Sequence, residues 1–253
     1  MRAEVGFFTD SSICIGCKAC EVACKEWNRL PDDGLHWTGN SYDNTGGLGA
    51  STWRHVAFIE QKRNGHFDWL MNSDVCKHCT DAACLEVCPT GAIFRSEFGT
   101  VVVQADVCNG CGYCVAACPF GVIERRDGDG RAFKCTMCYD RLKIGEQPAC
   151  SKACPTQSIT FGPMVDIRER ADRRLAALHE EGRSEARLYG TDESNGVGGT
   201  AAFFLLLDDP EAYGLPSEPI TPTRDARDAW VAAAGAAAAL LVGVAAAFFG
   251  ARR

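Results

Sequence analysis

Sixteen cysteines in 253 residues, gathered into four groups of four, restrict this chain more than any other feature. The first group is Cys14, Cys17, Cys20 and Cys24, and the second is Cys76, Cys79, Cys84 and Cys88. The third is Cys108, Cys111, Cys114 and Cys118, and the fourth is Cys135, Cys138, Cys150 and Cys154. Groups one and three share the spacing C-x2-C-x2-C-x3-C. The middle gap lengthens to x4 in group two and to x11 in group four. Pro89, Pro119 and Pro155 follow the last cysteine of three groups, and Lys25 takes that place in the first.

Cysteine at this density serves disulfides, zinc or iron–sulfur clusters. Disulfides need an oxidising compartment. Met1 to Asp10 carries a single Arg and no apolar run of signal-peptide length, which counts against them. Zinc ribbons use C-x2-C pairs, but not a recurring C-x2-C-x2-C-x3-C-P. That signature is the spacing of bacterial ferredoxins. Three closely spaced thiolates wrap one [4Fe–4S] cubane on a tight loop, and the fourth, expected at the start of a helix or turn, reaches the neighbouring cubane. The proline after it fixes φ and removes an N–H donor, turning the chain away. All sixteen cysteines are therefore expected to ligate iron, in four clusters.

A second repeat supports the first. Ile93, Ile123 and Ile159 each stand five residues after a last cysteine, in near copies of C-P-x-x-x-I. Such modules predict duplicated units with one packing plan, and short strands are expected at Thr100 to Gln104 and Ile159 to Phe161. His78 lies between Cys76 and Cys79, but with four cysteines in each group it is expected to support a site from behind its ligands or to lie at the surface. His36, His55, His66 and His179 have no ligand spacing. Lys18, Lys25, Lys77, Lys134 and Lys152 stand beside ligands, either as solvated charges or as partners that tune cluster potential. An oxidised cubane with four thiolates carries about −2, so four would add about −8 to the formal −7 of the protein. The acidic balance gives no sign of nucleic-acid binding.

Residues 30–65 form an insertion between the first two groups. Thr38 to Ser51 reads as a Gly/Asn/Ser-rich loop and His55 to Lys62 as a strand, with Trp37 and Trp53 either core residues or interface anchors. Val165 to Gly182 predicts a charged helix with Ile167, Ala171, Leu175 and Leu178 on its apolar face. Phe203 to Leu207 reads as a buried strand, and Pro210 to Thr223, with four prolines, as an extended linker. Ala229 to Ala251 holds 23 uncharged residues, about 34 Å as a helix and long enough to span a bilayer core. Trp230 and Arg252-Arg253 stand at its edges as interfacial anchors. Gly235, Ala239, Gly243 and Ala247 make a small-residue stripe. Paired arginines on both sides leave its orientation open.

The stretches GFFTDSSICIGCKACEVACKEWN, SDVCKHCTDAACLEVCPTGAI, DVCNGCGYCVAACPFGVI and KCTMCYDRL resemble the iron–sulfur (beta) subunit of membrane-bound respiratory formate dehydrogenase. The wider four-cluster pattern is shared by beta subunits of molybdopterin oxidoreductases that act on dimethyl sulfoxide, thiosulfate and polysulfide. All-cysteine ligation departs from the nitrate reductase beta pattern, in which one ligand is Trp. The resemblance covers nearly the whole chain. It implies an α+β fold of two ferredoxin-like modules related by a pseudo-twofold, each with two clusters, over residues 1–163. Residues 164–220 would extend that core, 221–228 would link, and 229–251 would anchor in the membrane.

The resemblance also implies crosswise ligand sets. Cys14, Cys17 and Cys20 would take Cys154; Cys135, Cys138 and Cys150 would take Cys24. Cys76, Cys79 and Cys84 would take Cys118; Cys108, Cys111 and Cys114 would take Cys88. The partners implied are a molybdopterin or tungstopterin catalytic subunit and a cytochrome b-type, quinone-reducing membrane subunit. The iron–sulfur domain would face the extracytoplasmic side. The chain itself shows no nucleotide or pterin motif and no acid–base or nucleophile set, so it is expected to relay electrons and not to catalyse. A beta subunit feeding a reductase, with electrons flowing the other way, and a zinc-stabilised scaffold are the alternatives.

Overall fold

The structure is a computed structural model, and it describes residues 4–34, 39, 42–43, 45–63 and 66–250. His36, Trp37, Thr38, Ala251, Arg252 and Arg253 lie outside the described residues. The fold is α+β, with four small sheets, short helices and one long apolar helix. It divides into two compact units, Met1–Thr221 and Pro222–Arg253.

The first unit is organised by a strand at its very start. Val5–Asp10 (β1) pairs in parallel with Ala202–Leu206 and antiparallel with Ile159–Pro163. The intervening sequence runs through Ala19–Asn28 (α1), the hairpin Arg54–Arg63 and His66–Val75 (β2, β3), and Ala83–Glu86 (α2). Then come Ile93–Arg95 and Val101–Val103 (β4, β5), Tyr113–Ala117 (α3), and Glu124–Arg125 with Ala132–Phe133 (β6, β7). Tyr139–Lys143 and Ala149–Ala153 (α4, α5), Ile159–Pro163 (β8), Met164–Glu180 (α6), Arg187–Tyr189 (β9) and Ala202–Leu206 (β10) complete the unit. The central sheet has the order β8-β1-β10-β9.

Alternation along β1 and β10 explains why this sheet is buried on both faces. Phe8, Phe203 and Leu205 pack with Ile167, Ala171 and Leu178 of α6. Phe7, Ala202, Phe204 and Leu206 face the other way, into a core that includes Cys20, Cys76, Cys135 and Cys150. A strand covered on both sides needs apolar residues at every position, and all five residues of β10 are buried. The sheet thus separates the charged helix from the cysteine-rich part.

The expected helix of 165–182 is α6, and the strands at 55–62, 100–104, 159–161 and 203–207 are β2, β5, β8 and β10, each with bounds shifted by a few residues. The stretch from Pro210 differs from the expected linker. It opens with a short 3-10 turn, Pro210–Tyr213, and Tyr213 and Leu215 are buried. These apolar side chains hold the chain on the core despite the prolines. Trp53 is partly buried against the main core and donates from Nε1 to the Ala50 carbonyl at 3.0 Å, so it packs inside.

The second unit is Ala226–Gly250 (α7). Within Ala226–Phe249 an 18-residue stretch has a mean hydropathy of 2.2, and no acidic or basic side chain follows Asp228 in the helix. That composition suits a single membrane span.

Candidate cluster sites

Each cysteine group folds by the same local plan. In each C-x2-C pair the residue before the second cysteine has a left-handed backbone: Gly16 (φ 65°), His78 (46°), Gly110 (74°) and Met137 (57°). This turn brings backbone N–H groups round toward sulfur, and Met137 N–H donates to Cys135 Sγ at 3.3 Å. The third cysteine is the second residue of a helix in every group: Cys20 in α1, Cys84 in α2, Cys114 in α3 and Cys150 in α5. Helix N-termini favour the thiolate form.

The fourth cysteine, expected at the start of a helix or turn, begins a turn in three groups and lies within a helix in the first. Cys118 and Cys154 cap the C-termini of α3 and α5, Cys88 follows α2, and Cys24 sits within α1. The helix begins just before the third cysteine, where its first N–H groups have no partner within the helix. In three groups the proline directly after the fourth cysteine keeps the helix from continuing. Cys88, Cys118 and Cys154 then accept at their carbonyls from Gly91, Gly121 and Gln157, three residues on, at 3.2 to 3.3 Å. Ile93, Ile123 and Ile159 are all buried beyond these turns.

The helices bring cysteines from different groups together. Cys14, Cys17, Cys20 and Cys154 line one small hollow, with Val56 and Ile159. Cys76, Cys79, Cys84 and Cys118 line another, with Lys77, His78, Val122 and Lys134. Cys24 has Cys135, Cys150 and Cys138 as its electrostatic neighbours. Cys114 has Cys108, Cys111 and Cys88. These are four sets of four, each with three cysteines from one group and one from another.

The sets also lie in an order. Cys20 is coupled to Cys150, Cys135 to Cys76, and Cys84 to Cys114. The series runs from the Cys14 set through the Cys24 set and the Cys76 set to the Cys88 set. Cys17 and Cys111, in the two end sets, are exposed, whereas Cys24, Cys135, Cys138 and Cys150 are buried.

Burial sets the electrostatics. It pushes the thiols of Cys20 and Cys84 up to about 12 and those of Cys114 and Cys138 up to about 11. A bound cation must therefore displace protons, as thiolate-ligated metals do. Lys77 and Lys134, expected as either solvated or tuning charges, are almost wholly buried. Lys152 is exposed, and Lys25 is tied to Asp33 and the Ser51 carbonyl. His78 is buried, and its Nδ1 accepts from Val101 N–H at 3.1 Å, which leaves the ring proton on Nε2. Burial holds the ring well below its ordinary pKa, hence neutral. Its Nε2 and the Nε and Nη2 of Arg54 are buried donors without a protein partner. Nothing in the residue pattern marks Arg54, which lies just before the predicted strand.

The donor sets suit a cubane. Each of the four irons in a cubane takes one thiolate, so the four sulfurs surround a body and not a point. Among the described residues no three His, Cys, Asp or Glu are placed to hold a single metal ion. A tetrahedral zinc site would need all four sulfurs at about 2.3 Å from one centre. Orphaned N–H donors beside the hollows match the sulfides that a cubane would present.

Two stretches of the chain, residues 67–164 and 13–92, match the 4Fe-4S dicluster domain. The chain is 45% identical over 222 residues to the nitrate-inducible formate dehydrogenase iron-sulfur subunit of Escherichia coli K12, covering 86% of this chain and 74% of that one. It is 42% identical to the formate dehydrogenase iron-sulfur subunit of Haemophilus influenzae, with 86% and 70% covered. It is 40% identical over 177 residues to the B subunit of anaerobic dimethyl sulfoxide reductase from Escherichia coli K12, with 67% and 78% covered.

Proposed function

This protein belongs to the family of formate dehydrogenase iron–sulfur subunits, and from that membership we propose that it relays electrons from a formate-oxidising pterin subunit to a membrane acceptor. When bound, the four [4Fe–4S] clusters supply reversible one-electron transfer. The chain's own part is to hold them, order them and keep water away.

The observation that supports this most is the exchange of fourth cysteines between groups. Cys154 joins Cys14, Cys17 and Cys20 around one hollow, and Cys118 joins Cys76, Cys79 and Cys84 around another. We assign Cys24 to Cys135, Cys138 and Cys150, and Cys88 to Cys108, Cys111 and Cys114. The middle groups then build one two-cluster module and the outer groups a second, related by a pseudo-twofold within residues 1–163. Residues 164–220 extend this domain, 221–228 link it, and 229–251 anchor it. The Cys24 set, buried at all four cysteines, excludes water, while exposed Cys17 and Cys111 bring the end sets to the surface, where partners can approach.

The partners in this reading are a molybdopterin or tungstopterin catalytic subunit and a cytochrome b-type subunit, with the cysteine domain on the extracytoplasmic side. Anaerobic purification should give roughly sixteen irons per chain, four for each cubane, with acid-labile sulfide and interacting spins after reduction. A colourless protein without sulfide would overturn the reading. Protease should reach the cysteine domain from outside intact cells stripped of their outer layers, and protection there would place it in the cytoplasm. A second reading, a beta subunit of a dimethyl sulfoxide-type reductase, draws on the 40% likeness. That likeness covers 67% of this protein and stops short of the 86% reached with the formate relatives. Copurification with a formate-oxidising subunit separates the two.

A further inference from the structure

Among the described residues Arg54, Lys77, Lys134 and Arg141 are buried basic side chains near the cysteines, and their counter-charges differ; Arg141 pairs with Glu146. Lys77 bonds to Asp74, so its charge is met within the protein. Arg54 and Lys134 have no carboxylate partner among the described residues. Lys134 Nζ donates to the carbonyls of Val101 (2.5 Å) and Cys135 (3.1 Å). Arg54 Nη1 donates to the carbonyl and hydroxyl of Ser73 at 3.0 and 3.1 Å, and its guanidinium lies over Phe7. Its Nε and Nη2 have no acceptor among the described residues. An unpaired buried cation is strongly unfavourable, because it gives up its hydration without a compensating charge. Two of them in one small domain imply anions that the side chains do not provide.

Their positions show where those anions belong. Arg54 is coupled to Cys150, Cys20, Cys135 and Cys24, so it stands between the Cys14 set and the Cys24 set. The Ser73 hydroxyl that it grips is 3.3 Å from Cys20 Sγ. Lys134 lines the hollow of Cys76, Cys79, Cys84 and Cys118 and donates to the carbonyl of Cys135, so it stands between the Cys24 set and the Cys76 set. The order is Cys14 set, Arg54, Cys24 set, Lys134, Cys76 set and then the Cys88 set.

We propose that Arg54 and Lys134 are positioning residues for electron transfer, each lodged between two neighbouring clusters and holding up the reduction potentials of both. The inference rests on the ligand sets proposed above. A positive charge placed between two anionic centres favours the added electron on either one and offsets their mutual repulsion. The Cys24 set has a cation on each side and gains from both. The Cys88 set lies beyond both cations.

The test is a redox titration of the full chain in its complex, followed by EPR, with couples assigned to sites through single Cys→Ser variants in each set. Arg54→Gln should lower the couples of the Cys14 and Cys24 sets, and Lys134→Gln those of the Cys24 and Cys76 sets. In each variant the Cys88 set should stay put. The expected shift is about tenfold in the reduced-to-oxidised ratio at fixed potential, or about 59 mV for one electron. Arg54→Lys, which keeps the charge, should restore the couples. Fully loaded variants with unmoved couples, or with all four moved equally, overturn the proposal. So does an iron-poor Arg54→Gln chain that Arg54→Lys fails to repair. A native protein without cubane iron defeats the parent reading instead.

Discussion

Cys20 and Cys24 lie one turn apart on the same helix and have different cysteines as neighbours. Cys20 lines the hollow of Cys14, Cys17 and Cys154, while Cys24 is coupled to Cys135, Cys138 and Cys150. A rigid helical turn therefore fixes the distance between two neighbouring sites. Replacing Cys24 by Ser should cost the second cluster and spare the first. Iron should fall by about four per chain, and the spin coupling seen by the first cluster should weaken. Loss of the first cluster alone would contradict the assignment of Cys24.

Gly16 and Gly121 both have positive φ, 65° and 62°, yet their surroundings differ. A Cβ on Gly16 would meet Phe58 Cε1 at 2.6 Å and Met71 Sδ at 2.9 Å, whereas nothing lies within 4 Å at Gly121. Alanine at either position costs about 1–2 kcal/mol for the left-handed backbone, and Gly16→Ala adds about 1–3 kcal/mol of overpacking. Denaturant unfolding should rank Gly16→Ala well below Gly121→Ala, and equal losses would show that the Phe58–Met71 contact gives way freely.

Phe204 is fully buried in the middle of the central sheet, on the face toward the cysteines. Phe204→Ala should cost about 3–5 kcal/mol. Val165, at the exposed start of α6 with 78% of its surface accessible, should tolerate alanine to within about 0.5 kcal/mol. Thermal unfolding of the two variants reads the difference. A mild Phe204→Ala phenotype would mean that the sheet is not the organising layer.

Ending the chain at Thr221 removes the second unit at its boundary. The shortened protein should keep its cluster absorbance and stay in solution. The full chain should float with phosphatidylcholine vesicles. Flotation of the shortened protein would place membrane affinity elsewhere.

What could be read in advance follows the range of the interactions. The cysteine groups are local chemistry, so their spacing is visible in any one stretch. The face of α6 shows in Ile167, Ala171 and Leu178 for the same reason, and β10 in its unbroken apolar run. The strand β1 is not visible in this way. Its six residues acquire meaning only from Ile159–Pro163 and Ala202–Leu206, far along the chain. The hairpin strand β3 escapes notice because its exposed Phe67 and Trp69 blur the alternation. Arg54 sits in a strand like many arginines, and its burial depends on segments at 20–24 and 135–150 meeting around it. Long-range closure, not residue type, makes these features.

The place of β1 has a consequence for how the protein is made. The Cys76 and Cys88 sets draw their cysteines only from residues 76–118, a contiguous stretch made well before the chain ends. The Cys14 and Cys24 sets need Cys135 to Cys154, and β1 cannot take its central position until Ala202–Leu206 has left the ribosome. Closing the longer loop also carries the larger entropic cost. Half of the cysteine sets are thus complete early, yet the loop from Cys76 is tied to the last strand, Ala201 N–H donating to the His78 carbonyl and Ala202 N–H to that of Lys77, so a nascent chain stalled before residue 202 would hold those sets without their frame.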